Sequence, residues 1–347
     1  MTEVSPRGPR LSLDSQSLRS TTIAASLAAP LSAGRNTICA GTFGLAFHAL
    51  EQHAGAPVEI EGAADFAAAV RDTACRPEDL DEASYLARVV TGPEGLRLLA
   101  RDAEKKLGDG AAPRLIPASL PDGALLVYAC LYKDLAFSTP LARDDMGSLR
   151  FGDRPVACFG VWDTGDEPVW KSRAEQITVH DHESPEDFVI ELHTRATEDR
   201  LILARIPRTA TLGEAVKSAL ARAPQSLPFW KRTFGKPRLA PGEDLRIPLI
   251  DLELAHHFKE IEGRKVLPLD RPLDRAEQHI VLRLDERGAL LRSEVALELP
   301  KGRARKLRTF LFNGPFLLLM TRKSAARPYL AAWIETPELL VPASRSL

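Results

Sequence analysis

The chain lacks any apolar run approaching the ~18 uninterrupted residues of a membrane-crossing helix. Charge of one sign is also missing, because 46 Lys and Arg stand against 47 Asp and Glu, for a net charge of -1. No global field therefore draws the protein to nucleic acid or to an anionic membrane, and a charged partner must meet a local patch. Cysteine is scarce. Cys39, Cys75, Cys130 and Cys158 are widely separated and show no paired metal-ligand spacing. Three of them fall in apolar runs that read as core. Buried free thiols suit a reducing compartment, with two disulfides as the alternative.

Motifs that carry chemistry are missing too. No Gly-rich phosphate loop leads into Lys-Ser/Thr, and Gly41-Thr42-Phe43-Gly44 is too short for a dinucleotide fingerprint. Neither a Gly-x-Ser-x-Gly elbow nor His-Glu-x-x-His occurs, so hydrolase chemistry has no anchor and an enzyme is not expected. No cofactor is implied. The opening Met1–Ser15 lacks the basic-then-apolar order of a secretory signal. Thr22–Ala33, with Arg19 before it, has the composition of a signal core, but Ser, Thr and Pro30 interrupt it; a cytoplasmic location is expected.

What is present is enough for a large core: 347 residues at 44% hydrophobic composition, as one big domain or two ordinary ones. Residues 1–17 are rich in Pro, Ser and Arg and read as a poorly ordered tail. Helices are expected over Leu18–Leu31, Phe43–His53, Ala63–Thr73 and Glu94–Leu107, the last amphipathic and stopped by Gly108-Asp109-Gly110. From Ala124 strands dominate. Leu125–Tyr132 reads as a strand buried on both faces, followed by candidates at Val156–Trp162, Asp187–His193, Arg200–Ile206, Leu245–Leu254, His279–Leu284, Phe310–Thr321 and Tyr329–Ile334. Leu212–Ala223 is an intervening helix. Helices first and strands later argue for α+β rather than a doubly wound sheet.

Two histidine clusters invite a metal reading. His180-Asp181-His182-Glu183 has ligand chemistry, but neighbours on a loop point apart and Ser184-Pro185 follows, so a solvated turn is expected. His256-His257 follows a strand and reads as the opening of a helix, one ring packed and one exposed. No metal is assigned to either.

The C-terminal pattern is more specific. Phe312-Asn313-Gly314-Pro315-Phe316, then Leu317–Met320, a polar turn, and Tyr329–Ile334 with Pro337 beyond, form two apolar strands joined by Thr321–Arg327, with Pro315 at a strand start where its missing donor is tolerated. This resembles the C-terminal hairpin of the serpins. His279–Gly288 looks like the family strand that runs into the reactive-loop hinge, Ala124–Lys133 its central-sheet strand, Gly108–Pro117 the turn before it, Asn36–Cys39 the start of its second helix, and Ile247–Ile250 another strand with Pro in place. The chain departs from the family at Tyr128, where the family has Asn, and at Phe137, where it has Trp. The interval from Asn36 to Glu94 is also shortened, implying a central sheet that is narrower or less mobile than the family's. The resemblance implies a single serpin-like domain over residues 18–342: N-terminal helices on a large central sheet, further antiparallel sheets, and an exposed reactive loop near 288–309.

What the resemblance implies about function is a monomer without enzyme activity whose loop is cut by a serine protease and then inserts as a strand, although many family members are secreted rather than cytoplasmic. The hinge would be Glu286, Gly288 and Ala289. Ala289, Leu291, Ser293, Val295, Leu297 and Leu299 alternate with Leu290, Arg292, Glu294, Ala296 and Glu298, the parity an inserting strand needs. Leu291, Val295 and Leu299 also recur at helical spacing, so a helical, non-inhibitory loop stays open. In the basic run Lys301–Arg308 the candidate scissile residue is Arg303, with Arg305 as alternate, either suited to a trypsin-like protease. A solvated basic loop is the plain alternative, and a polyanion patch a third reading that the neutral balance disfavours.

Overall fold

The apolar run Phe316–Arg322 and its partner Leu330–Ile334 are buried along their length, apart from half-buried Arg322, and pair antiparallel, which only the middle of a covered sheet allows. A computed structural model describes residues 11–107, 115–121, 123–163, 165–225, 237–288 and 307–344. In chain order the strands begin with β1 (Leu11–Asp14), β2 (Thr21–Ala24), β3 (Asn36–Ala40), β4 (Glu59–Ile60), β5 (Tyr85–Thr91) and β6 (Leu125–Leu131). They continue with β7 (Ala142–Phe151), β8 (Arg154–Val161), β9 (Ile177–Ser184), β10 (Asp187–Leu192), β11 (Asp199–Arg205), β12 (Asp244–Pro248) and β13 (Ile250–His257). The rest are β14 (Lys265–Leu267), β15 (Arg271–Pro272), β16 (Glu277–Leu284), β17 (Thr309–Leu311), β18 (Phe316–Arg322) and β19 (Leu330–Ile334). Helices α1 (Thr42–Ala54), α2 (Ala64–Thr73), α3 (Gly92–Leu107), α4 (Glu167–Ala174) and α5 (Leu212–Arg222) lie among them.

The largest sheet is seven-stranded, in the order β2-β3-β19-β18-β11-β10-β9, with the C-terminal hairpin near its middle. Helix α5 covers one face, setting Leu212, Ala215 and Ala219 against Ile202, Leu317 and Trp333. A four-stranded sheet, β17-β12-β8-β7, stands beside it. The remaining ladders are β1-β13-β16, β5-β6 and the small β15-β14-β4. The mixed helix and multi-sheet architecture is the α+β class read from sequence.

Several expectations are corrected. Leu18–Leu31 contains no helix: Thr21, Thr22 and Ile23 are β-branched, and β2 pairs in parallel with β3. Asn36–Cys39 is likewise strand, with α1 starting two residues after β3; the Asn36 amide accepts from the Glu335 and Thr336 N–H groups and donates to Thr21 and Thr336, tying both chain ends together. The N-terminal tail reading fails from residue 11 onward, because β1 pairs with β13 and Ser15–Ser17 form a 3-10 turn. Leu245–Leu254 and Phe310–Thr321 each split between two sheets. Pro248, lacking a donor, ends β12, and Leu249 bonds to Ala157 O instead. Asn313–Pro315 makes the corresponding break before β18.

The histidine segments are strands as well. His180 lies on β9, buried, and its Nε2 donates to Glu191 Oε2 at 2.7 Å; Arg200 Nη2 meets the same oxygen at 2.6 Å. That buried carboxylate is the partner that makes a histidine affordable inside a sheet, which a solvated turn would not need. Burial alone would raise the Glu191 pKa, yet the bonds from His180 and Arg200 hold it down at about 2. His256 and His257 end β13 rather than opening a helix, His256 bonded to Ser15 Oγ at 2.8 Å and His257 to Glu262 at 3.1 Å. Helices α1, α2, α3 and α5 fall where expected. The Gly108–Gly110 stop lies outside the described residues.

All four cysteines are free and buried. Burial pushes Cys39 up to about 12 and Cys158 up to about 11, so neither is a thiolate near neutrality.

Candidate functional site

Strand β6 pairs only with β5 and β16 only with β13 among the described residues, so two half-sheets face each other with an unfilled backbone edge on each. Leu125–Tyr132 was expected to be a strand buried on both faces, but it ends at Leu131 and Tyr132 is 48% exposed. Only Tyr128 and Cys130 are buried, packed with Leu86 against Leu99 and Ala103 of α3; Leu126 is half-buried on that same face, and Val127 and Ala129 are half-buried on the opposite one. The reason is the gap itself. A cavity of about 350 Å³ is lined by Leu126–Ala129 of β6, by Glu277–His279 of β16 and by the Phe43, Ala46, Phe47 and Leu50 face of α1, with Leu115, Pro117 and Leu120 beside them.

Beyond β16 the chain makes a tight turn. Asp285 N–H donates to Gly288 O at 3.0 Å, Gly288 N–H returns to Asp285 O at 3.2 Å, and Arg287 N–H reaches Asp285 Oδ1 at 3.0 Å. Gly288 has φ +97, and a Cβ there would lie 2.3 Å from Leu135 O, so both backbone shape and space call for glycine. The turn is fastened to the segment after β6: Phe137 N–H donates to Arg287 O at 2.8 Å and Leu141 N–H to Glu286 O at 2.6 Å. Arg143 Nη1, from the exposed rim, pairs with Oε2 of the buried Glu286 at 3.1 Å. Burial pushes the Asp285 carboxyl up to about 6, with the neighbouring Glu286 charge adding to the rise.

Tyr128 and Phe137, the two departures from the family pattern, are buried core residues, Phe137 with its ring 6.4 Å from that of Phe159. Of the sequence-derived site residues, Glu286 and Gly288 sit together in this turn. Ala289, Arg303 and Arg305 lie outside the described residues. The chain is picked up again at Leu307, where Arg308 makes a two-pronged pair with Glu243 at 2.8 Å for each oxygen before β17. Arg143, Glu243 and the cavity were not legible in sequence: a lone Arg before two aspartates carries no signal, and a void between strands has no residue of its own. Among the described residues no three His, Cys, Asp or Glu side chains converge as a metal site.

No family model and no curated protein matches the chain. Solved structures do. Maspin covers 87% of this chain and 92% of its own, at 12% identity and a TM-score of 0.47. SRPN18 from Anopheles gambiae covers 86% and 92%, at 13% and 0.44. Thyroxine-binding globulin in complex with thyroxine covers 70% of this chain, which spans 65% of that structure, at 12% and 0.41. These are serpins. At such identities and scores the serpin overlaps say nothing about activity, partner or site residues.

Proposed function

We propose that the protein is a serpin-like suicide-substrate inhibitor of a trypsin-like serine protease. One observation carries the reading: two strand edges face each other across a cavity, and the segment leaving β16 through the Gly288 turn rejoins the fold in a different sheet at β17. A segment so tethered, with period-2 parity from Ala289 to Leu299, can fill the gap as a strand and bond to both edges. The protease serine would attack the Arg303 carbonyl carbon and the Arg303–Ala304 bond would break. The amine of Ala304 would leave with the proton delivered by the protease histidine, and Arg303 would remain as an ester. Insertion before hydrolysis of that ester would drag the acylated protease away. The hinge is Glu286, Gly288 and Ala289, and the chain itself needs no catalytic group or cofactor.

A second reading is favoured by the fastening of the hinge. The Phe137, Leu141 and Arg143 bonds to the 286–287 segment must break for the strand to extend, and Leu290, Leu291 and Arg292 bring bulk where small residues would slide. Each such misfit costs about 1–3 kcal/mol. A loop slowed this far is cut as a plain substrate, and the protein is then a non-inhibitory binding or structural member of the fold. Incubation with trypsin-like proteases followed by denaturing gels separates the two. Inhibition gives a covalent adduct that Ala289→Arg abolishes while cleavage continues. Cleavage near Arg303 with no adduct in the unaltered protein overturns the inhibitory reading.

A further inference from the structure

The turn after β16 buries three charged residues in a row: Asp285, Glu286 and Arg287 are 9%, 2% and 4% exposed. Their pairing is uneven. Glu286 takes both guanidiniums at the turn, with Arg143 Nη1 at 3.1 Å from its Oε2 and Arg287 Nε at 3.3 Å from its Oε1. Arg143 directs its Nε and Nη2 to Asp145. Arg283, two residues back on β16, is held by Asp251 of β13 at 3.2 Å, and Lys133, at the head of the adjoining segment, by Asp199 at 3.0 Å. Asp285 is left with backbone. Its Oδ1 accepts from the Arg287 N–H at 3.0 Å, and among the described residues it enters no ion pair.

A carboxyl buried beside a second carboxylate, with no cation of its own, is favoured with its proton on. Burial first, and then the Glu286 charge, accordingly raise Asp285 from 3.8 to about 6. Protonation spares the turn, because the proton sits on Oδ2 and Oδ1 still accepts from the Arg287 amide. Ionisation sets two like charges side by side out of water, and opening the turn relieves both by hydrating Asp285. The stability that neutral Asp285 gives the turn is therefore fully present below pH 3.8 and lost as pH rises through 6. Opening breaks the bonds from Phe137 N–H to Arg287 O and from Leu141 N–H to Glu286 O, which tie the turn to the segment after β6.

We propose that this turn is an acid lock: neutral Asp285 keeps it fastened at Phe137 and Leu141, ionised Asp285 loosens it, and so mild acid holds the end of β16 while neutral pH frees it. As a regulator of loop insertion the lock rests on the inhibitory reading above. As a property of the turn it stands without a protease.

Amide hydrogen exchange at Phe137 and Leu141 of the full-length protein tests it, with rates corrected for the pH dependence of exchange itself. The opening equilibrium should be about tenfold larger at pH 7 than at pH 5, the change expected when a carboxyl at about 6 returns to 3.8 on opening. Asp285→Asn keeps an acceptor for the Arg287 amide but cannot ionise. It should make protection flat across this window and no lower than that of the unaltered protein at pH 5. Flat protection in the unaltered protein, or a rise in opening that survives Asp285→Asn, overturns the lock whatever the protein does to a protease. With a protease that forms the covalent adduct, Asp285→Asn at pH 7 should shift the products from adduct toward cleaved protein, and an unchanged share overturns the regulatory role. A protein that shows the tenfold change and forms no adduct keeps the lock and loses only the inhibitory reading. If the Asn variant fails to fold, Asp285→Ser, neutral and still able to accept from the amide two residues on, takes its place.

Discussion

The seven-stranded sheet and the pair of half-sheets are built from similar apolar strands, yet one is closed and the other is not. In the closed sheet every interior strand is paired on both sides, and its buried polar groups can hold several partners at once, as Asn36 does with Thr21, Glu335 and Thr336 and Glu191 with His180 and Arg200. In the split pair, β6 leaves most of its residues half-buried and faces a cavity. The difference teaches that hydrophobicity of a strand does not decide whether its edges are filled; the supply of a neighbour does.

The comparison can be broken by truncation. Trp333→Ala, in the fully buried middle of the closed sheet, should cost about 3–5 kcal/mol in denaturant unfolding, whereas Val127→Ala beside the cavity should cost less than about 1.5. Equal losses would mean the gap is packed in solution. The next effect is electrostatic. The folded Glu191 carboxyl lies below its ordinary value of 4.5, so the stability it adds is fully present above pH 4.5 and lost as pH falls toward 2. Glu191→Gln should remove that part of the acid sensitivity and, by leaving Arg200 buried with a neutral partner, should cost up to about 3–5 kcal/mol near neutrality.

The smallest effect sharpens the contrast at the hinge, where the sign reverses. Asp285 is raised from 3.8 to about 6, so its contribution is fully present below pH 3.8 and is lost as pH climbs through 6. Asp285→Asn should therefore stabilise the protein above pH 6 by about 1 kcal/mol and leave it little changed in acid. A melting-temperature series across pH 4–8 reads the change. Destabilisation at pH 8 would show that the charged carboxylate is needed to hold the Arg287 amide.

Much of the fold was legible because its signals are local. Helix α1 follows from its Ala and Leu content, α5 from the uninterrupted run Leu212–Ala223, and the C-terminal hairpin from two apolar strands around a polar turn. What escaped depends on distant partners. His180 reads as loop until Glu191 and Arg200 arrive from two other strands, and Thr21–Ala24 reads as helix until β3 lies beside it. At the site, Glu286 and Gly288 were singled out only through the resemblance to the serpin hinge, whose pattern is a strand, acidic residues and a glycine. Their fastening to Phe137, Leu141 and Arg143 joins stretches far apart in the chain, which no reading of neighbours could supply.

Strand β1 runs along the outer margin of β13, from Leu11 opposite Leu252 to Asp14 opposite Ala255. Where it runs, that margin is hemmed, and among the described residues the three-stranded piece has its unpaired margin on the β16 side. Trimming the first residues would bare the other margin of β13 as well, giving strangers a second place to tie up.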